Sequence, residues 1–267
     1  MSAKSSNRLL QTRLNKVGHL VIGRAPDGGW NWRMAGILPL WVLAAFVASS
    51  LVVSTVLFIV NWLNLPIDSY VRPAVLQTVL AVVVYALTLG IVIAGPSLLK
   101  RPIVSLQTLG LTRLPSWTDI GLAPLTYFVY VIVIAMFLSL ITSWFPAFPL
   151  DQTQDVGFKA LGSRLDNILA FLTLVVLSPL AEETLFRGYL YGKLKTYIPA
   201  VLAAVVTSLL FAIVHFQLNV GLDVFVLSLF LCGLRSLTGS IWAGVLVHMI
   251  KNGVAYYILF VSPLIGG

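Results

Sequence analysis

Residues 177–192 read LSPLAEETLFRGYLYG and place Glu182 and Glu183 side by side in an otherwise apolar run. An ionised carboxylate is costly to remove from water, so two together need a physical reason. The apolar surroundings extend far beyond this stretch. No Asp, Glu, Lys or Arg falls between Arg33 and Asp68, Arg72 and Lys100, Asp119 and Asp151, or Lys195 and Asp223. Each interval exceeds the roughly 20 residues with which an α-helix crosses the hydrocarbon core. The runs are continuously apolar rather than alternating, which excludes a transmembrane β-barrel. Composition agrees: 59% of the 267 residues are hydrophobic and 10% are charged, where a soluble domain has about 25% charged. The expected fold is all-α, a polytopic transmembrane bundle of about seven spans, with six to eight as the range.

Apolar runs and their Pro, Gly or charged punctuation predict helices at 36–62, 73–98, 120–144, 167–195, 199–216, 221–236 and 240–262. The fifth ends in His215, and the last two are short enough to be broken or re-entrant. The chain then divides into a basic arm (1–35), three N-terminal spans (36–144), a Pro-rich polar loop (145–166) and a C-terminal core (167–267). Net charge is +8. Lys4, Arg8, Arg13, Lys16, Arg24 and Arg33 all precede the first span. Beside a membrane span this arm reads as a topology signal rather than a nucleic-acid surface. Lys100, Arg101, Arg113, Lys193, Lys195 and Arg235 fall on the same side of the predicted topology. Only Arg72, Lys159 and Arg164 fall opposite. The expectation is an integral protein of a bacterial or archaeal plasma membrane, with a cytoplasmic N terminus and an extracytoplasmic 145–166 loop. Cys232 is the single cysteine, so neither an intrachain disulfide nor a Cys-rich metal site can form.

Glu182 and Glu183 are the chain's only glutamates, and its histidines are His19, His215 and His248. Every glutamate and two of three histidines therefore lie in predicted membrane helices, where ionisable groups are functional candidates by default. Glu183 and Arg187 are four residues apart and share a helix face. Glu182 points about 100° away, free to face a different cavity. His248 and Asn252 share a face of the last helix, as Phe211 and His215 do on the fifth. Helical rise puts Glu182 roughly 16 Å, His248 about 12 Å and His215 about 24 Å from the basic side, so one cavity requires some stagger. Asp223 reads as the outer end of the sixth helix, and Lys251 is expected to point away from the site or to snorkel.

A carboxylate and an imidazole can together deprotonate water, while a second imidazole and a carboxamide donate to an oxyanion. Alternatively, Glu182, His215 and His248 are acceptable ligands for Zn2+ or another divalent metal with an open water position. Either arrangement describes peptide hydrolysis. No GxSxG elbow appears, which disfavours serine chemistry.

These residues resemble a known family. EETLFR (Glu182 to Arg187), FAIVH (Phe211 to His215) and HMIKN (His248 to Asn252) are similar to the EExxxR, FxxxH and HxxxN motifs of the CPBP intramembrane proteases, the type II CAAX prenyl protease and bacteriocin-processing family. The resemblance covers about 170–255. It implies an intramembrane endopeptidase in which Glu182 and His215 activate water, and His248 and Asn252 form the oxyanion or metal site. Glu183 and Arg187 are implied to support that site. The implied partners are a peptide or protein C-terminal substrate, lipidated or not, and membrane lipids, with no nucleic acid. Both the metalloprotease and the metal-free glutamate mechanism fit. Two other classes stay open: a non-proteolytic scaffold or bacteriocin-immunity member of the family, and a proton-coupled transporter, although the inverted repeats expected of a transporter are not detected.

Overall fold

The computed structural model describes residues 29–98, 100, 102–147, 156–158 and 161–262, without the side chain of Asp68. His19 and the basic arm up to residue 28 lie outside these residues, as do Arg101, Lys159 and part of the 145–166 loop. Among the described residues six helices are long and apolar enough to cross a membrane: α1 Met34–Trp62, α2 Pro73–Leu98, α3 Trp117–Trp144, α4 Arg164–Leu194, α6 Leu218–Thr238 and α7 Trp242–Val261. Between α4 and α6 runs a shorter apolar helix, α5 Ala200–Ile213. The helical membrane bundle read from the charge-free runs is thus the fold observed.

The outer helices have the surface that lipid requires. Leu40, Phe58, Leu125, Phe128 and Met136 are all exposed large hydrophobics on α1 and α3. In water such a face would drive aggregation, whereas hydrocarbon accepts it without cost. The interior instead collects around α4, α5 and α6. Phe186, Leu190, Leu194, Phe211, Val224 and Cys232 pack into one buried cluster with Leu38 and Val42 of α1 and Val92 of α2. A second cluster seals α3 against α6 and α7 through Tyr130, Leu227, Leu231 and Val247.

Local signals fix the ends. The Ser116 hydroxyl accepts from the Asp119 amide at the start of α3 and the Asp119 carboxylate returns the bond, a capping box. Arg113 clamps the same carboxylate with two nitrogens, and Asp119 is fully buried. Ser163 caps α4, accepting from the Asp166 amide. That cap starts α4 at Arg164, inside the segment expected to be loop. The fifth helix is shorter than expected and stops at Ile213, so His215 stands beyond its end. Phe216, next along, takes the left-handed backbone conformation (φ 53°), which terminates the helix. The weak pair at 221–262 resolves the other way, since α6 and α7 are 21 and 20 residues long.

α4 is not a uniform α-helix. Residues Leu172–Leu177 and Thr184–Tyr191 are π-helical, and between them lies the α-helical turn Ser178–Glu183. At its far end α4 meets the single-turn helix Leu106–Leu109 backbone to backbone. A Cβ on Gly188 would stand 2.8 Å from the Leu109 carbonyl oxygen, and one on Gly192 2.7 Å from that of Thr108. Neither backbone can yield as a flexible side chain would. Gly192→Val should therefore lower stability by about 1–3 kcal/mol or more through overpacking, read as a reduced thermal midpoint in detergent. Gly233→Ala, where a Cβ meets open space, is the control and should leave the midpoint unchanged.

Candidate active site

The two glutamates occupy different environments. Glu183 is fully buried, and its Oε1 accepts 2.7 Å from Arg187 Nη1 and 3.0 Å from His248 Nδ1. One oxygen thereby joins α4 to α7. Arg187 is also fully buried, and its guanidinium lies 4.3 Å over the Phe211 ring of α5. A desolvated cation on an aromatic face gains about 2 kcal/mol. α7 comes this close because residue 244 is glycine: a Cβ there would sit 3.0 Å from Glu183 Oε2.

Phe211 is the hub of the packing. Its ring meets Phe186 at 4.8 Å, His215 at 4.9 Å and His248 at 5.9 Å, all edge to face. The aromatic residue of FxxxH thus holds both imidazoles and the arginine in place.

Glu182 faces a cavity of about 390 Å³, lined also by Tyr85, His215, His248, Lys251 and Asn252. Its side chain is 17% exposed and makes no ion pair with Lys or Arg among the described residues. Oε1 accepts 2.5 Å from the Tyr85 hydroxyl of α2, and Oε2 lies 3.8 Å from His248 Nε2. His215 Nδ1 is 2.7 Å from the Phe211 carbonyl oxygen. A carbonyl only accepts, so Nδ1 carries the proton and Nε2 keeps a free lone pair. The same reasoning at His248, whose Nδ1 faces a carboxylate, also leaves Nε2 bare unless the ring is cationic.

The sequence-predicted residues are therefore gathered around one centre, with altered duties for four. His248 serves Glu183 through one nitrogen and looks toward Glu182 with the other. Asn252 spends one amide N–H on the Leu174 carbonyl at 2.9 Å, within the first π-helical stretch of α4. Its second N–H makes no hydrogen bond among the described residues. Lys251 does not point away: it lines the cavity and pairs with Asp223 at 3.1 Å. Asp223 in turn accepts from the Tyr130 hydroxyl of α3, so it is an internal counter-ion rather than a helix-end marker. Tyr85 is one of the polar cavity residues that sequence reasoning missed, and the one bonded to Glu182. A tyrosine in an apolar helix gives no signal of its own.

Glu182, His215 and His248 are chemically suitable metal ligands, with both Nδ1 atoms held as second-sphere partners would hold them. Yet among the described residues no three His, Cys, Asp or Glu side chains converge closely enough to hold an ion.

A bundle of long apolar helices enclosing a carboxylate and two imidazoles defines the class as an integral membrane protein with ionisable groups in its interior. Residues 164–254 match the family model of the type II CAAX prenyl endopeptidase Rce1-like proteins. All three motifs lie within that match, which bears out the resemblance drawn from them. It supports, as a class of activity, an intramembrane endopeptidase of the CAAX type. Comparison with curated proteins and with solved structures gives no match.

The Glu183–Arg187 pair generates a stability prediction. Arg187→Met leaves a carboxylate buried with only His248 beside it and should cost about 3–5 kcal/mol. Arg187→Met combined with Glu183→Gln removes both charges and should recover much of that loss. Thermal unfolding of the three purified proteins in one detergent checks the order.

Proposed function

We propose that this chain is an intramembrane endopeptidase in which Glu182 and His215 activate the water that cleaves a peptide bond. One observation carries the reading. Glu182 is a carboxylate open to a membrane-embedded cavity, with no Lys or Arg ion pair among the described residues, across from an imidazole whose Nε2 is free to accept a proton in the neutral ring. A structural carboxylate would be paired, as Glu183 is.

In this mechanism a water sits between Glu182 and His215 Nε2 and loses a proton as its oxygen attacks the peptide carbonyl carbon. The Tyr85 hydroxyl orients the Glu182 carboxylate through its hydrogen bond. Developing charge on the carbonyl oxygen falls to the unused amide N–H of Asn252, and to His248 Nε2 when that ring is protonated. The proton held by Glu182 or His215 then passes to the departing amine, and the C–N bond breaks. Glu183 and Arg187 touch none of the reacting atoms. They fix the imidazole of His248, with Phe211 as the common support.

The substrate is a peptide or protein segment, lipidated or not, that enters the cavity from the membrane. A divalent metal bound by Glu182, His215 and His248 is the competing version of the same chemistry.

The test is cleavage of paired peptides, one prenylated on cysteine and one unmodified, by protein purified into lipid nanodiscs. Glu182→Gln and His215→Ala should each lower kcat about 10²-fold or more, the usual weight of a positioned acid–base group. Tyr85→Phe should cost less, about tenfold, because it only orients the carboxylate. Retention of wild-type rates in both Glu182→Gln and His215→Ala would overturn the reading. A run with chelator separates the versions: full activity in metal-stripped protein eliminates the metal-bound one.

A further inference from the structure

Two of the long helices end in cations. α4 closes on YGKLKTY (191–197) and α6 on LRSLTG (234–239), with Lys193 and Arg235 in their last turns and Lys195 just beyond α4. Lys193, Lys195 and Arg235 share one open hollow of about 520 Å³, lined also by Thr108, Thr196 and Gly239. No residue lines both this hollow and the Glu182 cavity.

A basic helix end ordinarily answers the helix dipole, about half a negative charge at each C-terminus. Here that leaves charge over. Arg235 and Lys195 alone bring two positive charges against about one from two helix ends. Among the described residues no carboxylate lines the hollow, and neither of these two has an ion pair. Burial first, and then the charge of Arg235, pull the Lys195 ammonium down to about 8.

The cations are also held in place. Arg235 is 5% exposed, and its Nη2 donates to the Thr108 carbonyl at 3.0 Å. Its Nε is buried without a hydrogen-bond partner, a costly state for a charged donor. Residue 110 is glycine in the left-handed conformation (φ 71°), and a Cβ there would stand 2.8 Å from Arg235 Cζ. The turn therefore admits the guanidinium only because that side chain is missing. Lys193 and Lys195 each hold Nζ 5.3 Å over a tyrosine ring, Tyr189 and Tyr191 respectively. Tyr191 is hydrogen-bonded in turn to Ser236 of α6.

The hollow opens where two helices of spanning length end, the depth at which lipid phosphates lie. A phosphate brings negative charge and several acceptor oxygens at once, so it can meet a guanidinium and ammonium groups from different helices together. We propose that Lys193, Lys195 and Arg235 form a phosphate-binding site, filled by the headgroup of an anionic lipid, which ties the end of α4 to α6. The site stands independently of the hydrolase reading.

The test is the thermal midpoint of the full chain in a non-ionic detergent, titrated with phosphatidylglycerol, phosphatidylcholine or inorganic phosphate at constant ionic strength. Phosphatidylglycerol should raise the midpoint by about 2 °C or more beyond phosphatidylcholine. Arg235→Gln should abolish that rise and Lys195→Gln should at least halve it. Lys195 is half-buried at a helix end, so its variant decides the matter even where Arg235→Gln fails to fold. Lys100→Gln, exposed and outside the hollow, should keep the full rise. An equal rise with inorganic phosphate, lost in the same variants, upholds the site and makes its ligand a soluble phosphate. No rise over phosphatidylcholine with either probe overturns the proposal, as does a rise that Lys195→Gln leaves intact. A rise lost equally in Lys100→Gln reports general surface charge and also overturns it.

Discussion

The contact on which the site depends is the shared carboxylate oxygen of Glu183. Arg187 and His248 both reach it. A lone buried carboxylate at this depth would be untenable, and a lone guanidinium equally so. Each makes the other acceptable, and the imidazole adds a second helix to the arrangement. Because Arg187 also lies on the Phe211 ring, the three elements carrying the three motifs are joined by a few atoms. Fold and site are therefore one construction here: the helices cannot separate without exposing those charges to hydrocarbon.

This constraint explains why two adjacent acids do unlike work. Glu183 faces inward and is consumed by structure. Glu182, rotated by a third of a turn, reaches open volume and keeps an available oxygen. The tyrosine from α2 steadies it without neutralising it. In the proposed mechanism a neighbouring pair on one helix thus divides rigidity from reactivity, the second residue holding the structure while the first reacts.

Much of this was legible in the sequence, for identifiable reasons. Charge-free runs give helices because hydrocarbon permits little else. The i,i+4 spacing of Glu183 and Arg187 survives into the structure because one turn of helix fixes it. What escaped depends on distances between helices. Tyr85 is indistinguishable from any lipid-facing tyrosine until α2 lies beside α4. The bond from His248 to Glu183 requires the close approach that Gly244 allows, and a glycine in a membrane helix is too common to announce it. Lys251 was expected to point away from the site or to snorkel because its partner, Asp223, lies 28 positions away on another helix. The π-helical stretches left no mark in the apolar pattern, yet they shape the backbone on both sides of the glutamates and leave the Leu174 carbonyl available to Asn252.

The short length of α5 bears on how water arrives. Fourteen residues span about 21 Å, well under the roughly 30 Å of a hydrocarbon core. The helix ends beside His215, with Ile213 and Phe216 exposed on its rim. Local thinning of the bilayer is one way to accommodate so short an element, since the helix itself cannot stretch. The proposed reagent is the smallest molecule in the cell, and it faces the largest barrier in reaching a buried carboxylate. A local hollow in the lipid at the end of α5 would shorten that journey, making membrane thickness itself a determinant of turnover.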